Sequence, residues 1–113
     1  MAEQRAASKE LGEILDSKLF RVLSEPVRVE ILRCLMVNGR MDVGAVGERM
    51  PQDRSVISRH LGLMQEVGLL NCEKQGRYTY YELNGPFILE RLASMLREIY
   101  HYYQGCCPEK LNR

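Results

Sequence analysis

The stretch of sequence that decides the fold is DRSVISRHLGLMQEVG, residues 53–68. Ile57, Leu61 and Met64 recur at intervals of three and four residues, which is the spacing of one face of an α-helix. Asp53 can cap such a helix at its start, and the glycine at the end of the stretch can terminate it. The stretch therefore predicts a helix with one apolar side that packs on the rest of the chain and one polar side that faces outward.

A shorter helix precedes this one across a tight turn. Asp42 can cap a helix over residues 43–50, and Pro51 ends it because proline cannot continue a helix. Two short helices joined by so tight a turn indicate a helix-turn-helix motif, here over about residues 42–67. In such motifs the second helix enters the major groove of DNA with its N-terminal half.

The N-terminal half of the second helix carries side chains suited to that groove. We predict DNA contacts from Arg54, Ser55, Ser58 and Arg59. Arginine can form a bidentate pair with guanine, and serine hydroxyls can bond to bases or phosphates. No acidic residue occurs between Arg54 and Gln65, which also favours a surface that approaches DNA.

After this helix the apolar period changes from about four residues to two. Two runs rich in strand-forming residues then predict a β-hairpin over about residues 69–83, with Tyr81 and Leu83 facing inward. A hairpin directly after a helix-turn-helix forms a wing. We predict that Lys74 and Arg77 on this wing contact backbone phosphates or the minor groove.

Further helices flank the motif. One is predicted over about residues 9–23, a second runs from Pro26 to Asn38, and a last one covers about 86–103 and ends at Gly105. The first and last helices carry more apolar residues than the core of so small a domain can bury. We therefore expect them to form a dimer interface, with intramolecular packing as the alternative.

The predicted fold is thus mostly α-helical with a small β-hairpin. It is a single winged helix-turn-helix domain over residues 1–113 that dimerises through its terminal helices. The chain has 113 residues, 45% hydrophobic and 27% charged, which is ordinary for one globular domain. No apolar run approaches the roughly 20 residues of a membrane helix, and no secretory leader is visible. We predict a cytoplasmic chain that has no membrane partner and requires no cofactor.

The overall charge does not by itself favour nucleic acid. Sixteen Lys and Arg residues stand against fifteen Asp and Glu, a net charge of +1. Basic and acidic residues also balance between positions 40 and 82. The case for DNA therefore rests on where the charges lie. A solvated helix face, or a winged-helix module that binds protein, is the alternative.

Two side chains near the motif are assigned to packing. His60 lies about 70° from the buried stripe of its helix, which predicts a helix-packing or hydrogen-bonding role. Arg28 is predicted to hold helices together through a bond to a carboxylate or a carbonyl.

Several stretches together resemble the ArsR/SmtB family of dimeric winged-helix repressors. They are SVISRHL (55–61) with EVGLL (66–70), LSEPVRVEIL (23–32) and the wing GRYTYY (76–81). The resemblance covers about residues 19–103. It implies repression of an operator-promoter that an effector relieves, with double-stranded DNA and a second copy of the chain as partners. Family members often carry a long polar residue where Gly62 stands, so one phosphate contact that the family implies is missing here.

Four cysteines are candidates for the effector site: Cys34, Cys72, Cys106 and Cys107. Their number and spacing do not form a secreted disulfide framework, so we expect thiols. Some arsenite-responsive members of the family have paired cysteines near the end of the last helix, which the Cys106-Cys107 pair resembles. Soft thiolates favour arsenite and other thiophilic metals or metalloids. A third thiol would come from Cys72, Cys34 or the partner subunit.

A repressor that responds to oxidants or persulfides is the alternative. Family members of that type pair a cysteine of the second helix with one near the end of the last helix, as Cys34 with Cys106 or Cys107 would. Cys34 is displaced by one residue from their usual position, which turns the side chain by about 100°. Cys34 and Cys72 are otherwise expected to be small core residues. No enzyme is predicted, because adjacent cysteines lack the two-residue spacer of thiol-disulfide catalysts.

Overall fold

The computed structural model describes residues 18–111. The elements in chain order are α1 (Lys18–Leu23), α2 (Pro26–Asn38), β1 (Met41–Asp42), α3 (Val43–Glu48), α4 (Arg54–Val67), β2 (Leu70–Gln75), β3 (Tyr78–Leu83), α5 (Gly85–Cys106) and α6 (Pro108–Leu111). This order confirms the predicted helix-turn-helix followed by a wing. Residues 9–17 of the predicted first helix lie outside the described residues. None of the helices between residues 18 and 111 is long and apolar enough to cross a membrane.

The chain divides into two units. Lys18–Phe87 forms one, and the described residues from Ile88 onward belong to the other. The first unit holds all the elements from α1 to β3 and the first residues of α5. The candidate DNA-binding residues therefore all lie in one unit, whereas Cys106 and Cys107 lie in the other.

The wing belongs to a three-stranded antiparallel sheet with the strand order β1-β3-β2. Strands β2 and β3 form the predicted hairpin, in which Leu70 lies opposite Leu83. Strand β1 pairs with the other edge of β3, with Met41 opposite Tyr81. Two residues are too short to show an alternating pattern, so the sequence did not predict β1. Because β1 leads directly into α3, it fixes the base of the wing to the helix-turn-helix.

The core of the first unit gathers apolar side chains from nearly every element. Its fully buried members are Ile31, Val46, Ile57, Leu61, Met64 and Leu69. Three of these come from α4, which confirms the apolar side predicted for that helix. Tyr81 is buried as predicted. Leu83, two residues further along the same face of β3, is half-buried.

Gly68 ends α4, as predicted, in the left-handed conformation with φ of 104°. Its N–H donates to the carbonyl of Gln65 at 3.1 Å, and the Leu69 N–H donates to the carbonyl of Met64 at 3.0 Å. A Cβ on Gly68 would lie only 3.0 Å from the Phe87 ring. Glycine is required here both for the backbone angle and for this close approach, which together set where the wing begins.

Arg28 connects three helices of the first unit. Its Nε donates to His60 Nδ1 of α4 at 3.2 Å, and its Nη1 donates to the Val22 carbonyl at the end of α1 at 3.1 Å. Both assignments made from the sequence are thereby confirmed: Arg28 bonds a carbonyl, and His60 takes a hydrogen-bonding role. The guanidinium fixes α4 against α1 and α2.

Two predicted helix ends are wrong. Helix α3 ends at Glu48 rather than at residue 50. Helix α5 continues through Gly105 to Cys106, where the sequence predicted an end at the glycine. Glycine permits a helix end but does not impose one. The Cys107 N–H still donates to the carbonyl four residues back, on Tyr103, at 2.7 Å, so the helical bonding passes the glycine.

Candidate nucleic-acid interface and thiol pair

The N-terminal half of α4 turns its predicted DNA-binding side chains to solvent. Arg54, Ser55, Ser58 and Arg59 are all exposed, while Ile57 between them is completely buried. Within residues 18–111 none of these four side chains forms a hydrogen bond or an ion pair. Their donors are therefore available to a ligand without the loss of an internal bond.

A cleft of about 450 Å³ lies between the start of α4 and the wing. The residues that line it are Asp42, Val43, Arg54, Ser55, Ser58, Arg77, Tyr78 and Thr79. The cleft brings one arginine of the helix and one arginine of the wing to a single opening, together with three hydroxyl side chains of Ser and Thr. Guanidinium and hydroxyl donors in this arrangement suit an anionic oxygen such as that of a phosphate.

Asp42 is the carboxylate that lines this cleft, and Gly44 brings it close to Arg54. A Cβ on Gly44 would lie 3.3 Å from Asp42 Oδ2 and 3.4 Å from Arg54 Nη2, so both side chains lie against the glycine. Asp42 and Asp53 occupy the predicted N-cap positions of α3 and α4, but neither side chain makes a capping hydrogen bond. The Asp42 carboxylate and the Arg54 guanidinium therefore both lie beside Gly44 at the cleft, without forming an ion pair among the described residues.

The two predicted wing contacts occupy different places. Arg77 lies in the turn between β2 and β3 and lines the cleft. Lys74 lies on β2 opposite Thr79 and is exposed, but it does not line the cleft. The structure thus brings Arg77 to one cleft with Arg54, Ser55 and Ser58, whereas Arg59 and Lys74 do not line it.

Sequence reasoning missed Arg40, which braces the wing. Its Nη2 lies 3.1 Å from Glu73 Oε2, and its guanidinium carbon lies 4.7 Å from the centre of the Tyr80 ring. The ion pair and the cation–π contact join the residue before β1 to both strands of the hairpin. These contacts of Arg40 depend on the pairing of β1 with β3, which brings distant parts of the sequence together and which no local pattern predicted.

The four cysteines lie in three different settings. Cys72 is exposed on β2, and Cys34 is half-buried on α2, so neither is the core residue that the sequence suggested. Cys106 and Cys107 are both half-buried, and the Cys107 thiol donates to Cys106 Sγ at 3.2 Å. That hydrogen bond raises the pKa of the Cys107 thiol above its ordinary value. A ligand that binds this sulfur near neutral pH must therefore displace a proton.

The described residues do not supply the predicted third ligand. Among residues 18–111 no three His, Cys, Asp or Glu side chains lie close enough together to hold a metal ion. Cys106 Sγ lies 4.0 Å from the Tyr102 hydroxyl, and this hydrogen bond raises the pKa of Tyr102. The pair therefore offers two sulfurs beside a tyrosine that remains protonated.

The chain is similar to known transcription regulators. A family described as "Helix-turn-helix domain" matches residues 23–73. The chain is 33% identical over 91 residues to the arsenical resistance operon repressor of Escherichia coli strain K12. The matched region covers 80% of this chain and 77% of that protein.

Two solved structures have a similar fold. The crystal structure of a possible transcriptional regulator for arsenical resistance is 32% identical, with a TM-score of 0.61 over 71% of this chain and 81% of the other. An ArsR-like transcriptional regulator from Rhodococcus sp. RHA1 is 26% identical, with a TM-score of 0.72 over 82% of this chain and 87% of the other. The similarity therefore reaches beyond the helix-turn-helix to most of the chain.

Proposed function

Because the chain belongs to the ArsR/SmtB family of winged-helix transcriptional repressors, we propose that it is a cytoplasmic homodimer that binds operator DNA and releases it when an effector reacts with its terminal thiols. The chain is a DNA-binding transcription regulator and not an enzyme.

The cleft between α4 and the wing is the observation that carries the DNA-binding proposal. With α4 in the major groove, Ser55, Ser58 and Arg59 face base edges at its exposed N-terminal half. Arg54 and Arg77 converge at the cleft and hold a backbone phosphate beside that groove. Lys74, farther along the wing, contacts the backbone outside the cleft.

Replacing Arg77 with alanine tests the phosphate contact. Each neutralised phosphate releases condensed cations, so the logarithm of affinity falls with the logarithm of salt by about 0.9 per contact. We expect Arg77→Ala to reduce that slope by about 1 per subunit and to weaken all duplex sequences by a similar factor. Titration of labelled operator at several salt concentrations measures both quantities.

Arg33→Ala is the matched control for this experiment. Arg33 is exposed and pairs with Glu30 on α2 at 3.3 Å, outside the cleft, so its loss should leave the slope unchanged. Equal slopes for Arg77→Ala and the wild type would show that Arg77 neutralises no phosphate in the complex. No measurable affinity of the wild type for its operator region at low salt would favour the protein-interaction module instead.

Exposed apolar side chains on α5 support the homodimer. Leu89, Leu92, Leu96 and Tyr100 recur at three- and four-residue intervals, and each is more than half exposed. Such a stripe, in a chain with a helix-turn-helix, suits a two-fold interface through the terminal helices, because paired motifs read half-sites about one helical turn apart. In this proposal residues 1–113 form one domain with dimerisation helices over about 9–23 and 86–103.

A thiophilic metalloid is the proposed effector, with arsenite as the favoured example. Two of the relatives described above are named for arsenical resistance. Cys106 and Cys107 supply adjacent thiols that suit a soft ion. A further thiol for a three-coordinate ion would come from the partner subunit.

Changing both terminal cysteines to serine tests the effector site. We expect Cys106→Ser/Cys107→Ser to bind the operator with unchanged affinity, because both residues lie outside the DNA-binding unit, and to stay bound when arsenite is added. Operator occupancy against arsenite concentration is the measurement. The control is Cys34→Ser/Cys72→Ser, which should respond like the wild type. If release survives in the first variant and disappears in the control, the response belongs to the other thiols.

A further inference from the structure

We propose that Asp42 limits how tightly this protein holds DNA, because its carboxylate repels the phosphate that Arg54 and Arg77 bind in the cleft. The group that this carboxylate meets is the phosphodiester backbone of a duplex, whatever the base sequence. This inference rests on the proposed function, since it assigns a residue that sets the affinity at the same interface. It differs from the base contacts of α4, which select one sequence over another.

The backbone fixes Asp42 at the cleft from two sides. Asp42 lies opposite Tyr80 in the pairing of β1 with β3, and it immediately precedes the first residue of α3. A Cβ on Gly44 would lie 3.3 Å from Asp42 Oδ2 and 3.4 Å from Arg54 Nη2. The carboxylate and the guanidinium therefore lie against the same glycine and line the same part of the cleft.

Among residues 18–111 the Asp42 carboxylate has no partner that accounts for its charge. Asp42 occupies the N-cap position of α3, but its side chain makes no capping hydrogen bond. It also takes part in no ion pair within the described part of the chain. Asp42 is half-buried, and neither of its carboxylate oxygens is buried without a partner, so both still reach solvent. The negative charge can therefore act on an anion that enters the cleft.

The sign of the effect follows from the charges that line the cleft. Arg54 and Arg77 attract a phosphate, whereas Asp42 repels it. The Debye length is about 10 Å at 0.1 M salt, so charges around a cleft of about 450 Å³ still act on one another. Interactions between partly exposed charges change an equilibrium constant by about two- to threefold. Two carboxylates in the proposed dimer then change the affinity for DNA by about four- to ninefold.

Asp42→Asn and Asp42→Ala test this repulsion in the full-length protein. We expect both variants to bind the operator and an unrelated duplex about four- to ninefold more tightly than the wild type at low salt, by the same factor for the two DNAs. The gain should shrink as salt rises, because screening weakens the repulsion. Titration of both labelled duplexes at several salt concentrations gives the values. Asparagine can donate a hydrogen bond to a phosphate and alanine cannot, so a gain in both variants identifies the lost charge as the cause.

Glu48→Gln is the matched control. Glu48 is the last residue of the same helix, is exposed and does not line the cleft, so an equal change of charge there should leave the affinity nearly unchanged. In an Arg77→Ala background the gain from Asp42→Asn should fall, because one of the groups that hold the phosphate is missing. Thermal unfolding of Asp42→Asn should match that of the wild type, because no capping bond is lost.

Several results would overturn the inference. Unchanged or weaker binding of both duplexes by Asp42→Asn and Asp42→Ala would show that the carboxylate does not oppose the phosphate. A loss confined to the operator would make Asp42 a base contact. A gain in Asp42→Asn alone would come from a new hydrogen bond. An equal gain in Glu48→Gln would reduce the effect to the net charge of the protein.

The proposed function and this inference fail in different ways. If the wild type binds its operator no more tightly than the unrelated duplex, the proposed function fails, whereas the ratio of variant to wild type on that duplex still tests Asp42. If no duplex binds, inorganic pyrophosphate serves as the probe, followed by the guanidinium NMR signals of Arg54 and Arg77. Both Asp42 variants should bind pyrophosphate more tightly than the wild type. Equal binding would overturn the inference without any reference to DNA.

Discussion

Replacing Arg59 with alanine is expected to weaken binding to the operator by about 1–3 kcal/mol and to relax the choice of base at one position in each half-site. Arg59 is exposed on the N-terminal half of α4 and forms no internal hydrogen bond or ion pair within residues 18–111. Its guanidinium is therefore free to form two hydrogen bonds with the major-groove edge of guanine. Affinity for the operator and for single-base variants of each half-site measures the effect.

Arg59→Lys separates base recognition from charge. Lysine keeps the positive charge but lacks the planar pair of donors, so we expect lost discrimination with a nearly unchanged salt dependence. Thermal unfolding should be the same for the wild type and both variants, because the side chain is exposed. An unchanged footprint and affinity in Arg59→Ala would show that this arginine takes no part in reading the operator.

Replacing Leu61 with alanine should have the largest effect on folding. Leu61 is completely buried on the apolar side of α4, so its truncation removes buried methyl groups and leaves a cavity. We expect the free energy of unfolding to fall by about 2–5 kcal/mol, a large part of what a domain of this size has. Urea unfolding followed by circular dichroism at fixed protein concentration gives the value.

Met36→Ala is a suitable comparison for the Leu61 variant. Met36 is also an apolar helical residue, but 70% of it is exposed, so its truncation should change stability by no more than about 0.5 kcal/mol. Similar small losses in both variants would contradict the packing of α4. A large loss in Leu61→Ala should also reduce DNA binding, because the same helix carries the reading side chains.

Helix α4 was predicted well because its information is local. Ile57, Leu61 and Met64 repeat with the period of the helix, and Gly68 supplies the one backbone angle that a helix end of this kind needs. Strand β1 was missed because two residues carry no period. The end of α5 was misplaced because glycine is compatible with a helix as well as with its end.

In the candidate site, too, the features with a local sequence pattern were predicted and those that depend on distant segments were not. The pattern of α4 placed Ser55, Ser58 and Arg59 on its polar side, and the structure exposes all three. The meeting of Arg54 with Arg77 depends on strand pairing between distant segments, which periodicity does not report. Whether a partner subunit supplies a third thiol cannot be predicted from the sequence of one chain either, because it depends on how the two copies pack together.

The pairing of β1 with β3 has a mechanical consequence. Met41 lies opposite Tyr81, and the chain passes directly from β1 into α3. The hairpin is therefore tied to the helix-turn-helix and does not move independently of it. In a dimer, the wing and the helix-turn-helix of each chain would then contact the duplex as one rigid unit. In the proposed dimer, release of the duplex would then need a change in the spacing or tilt of the two DNA-binding units rather than a movement of the wing alone.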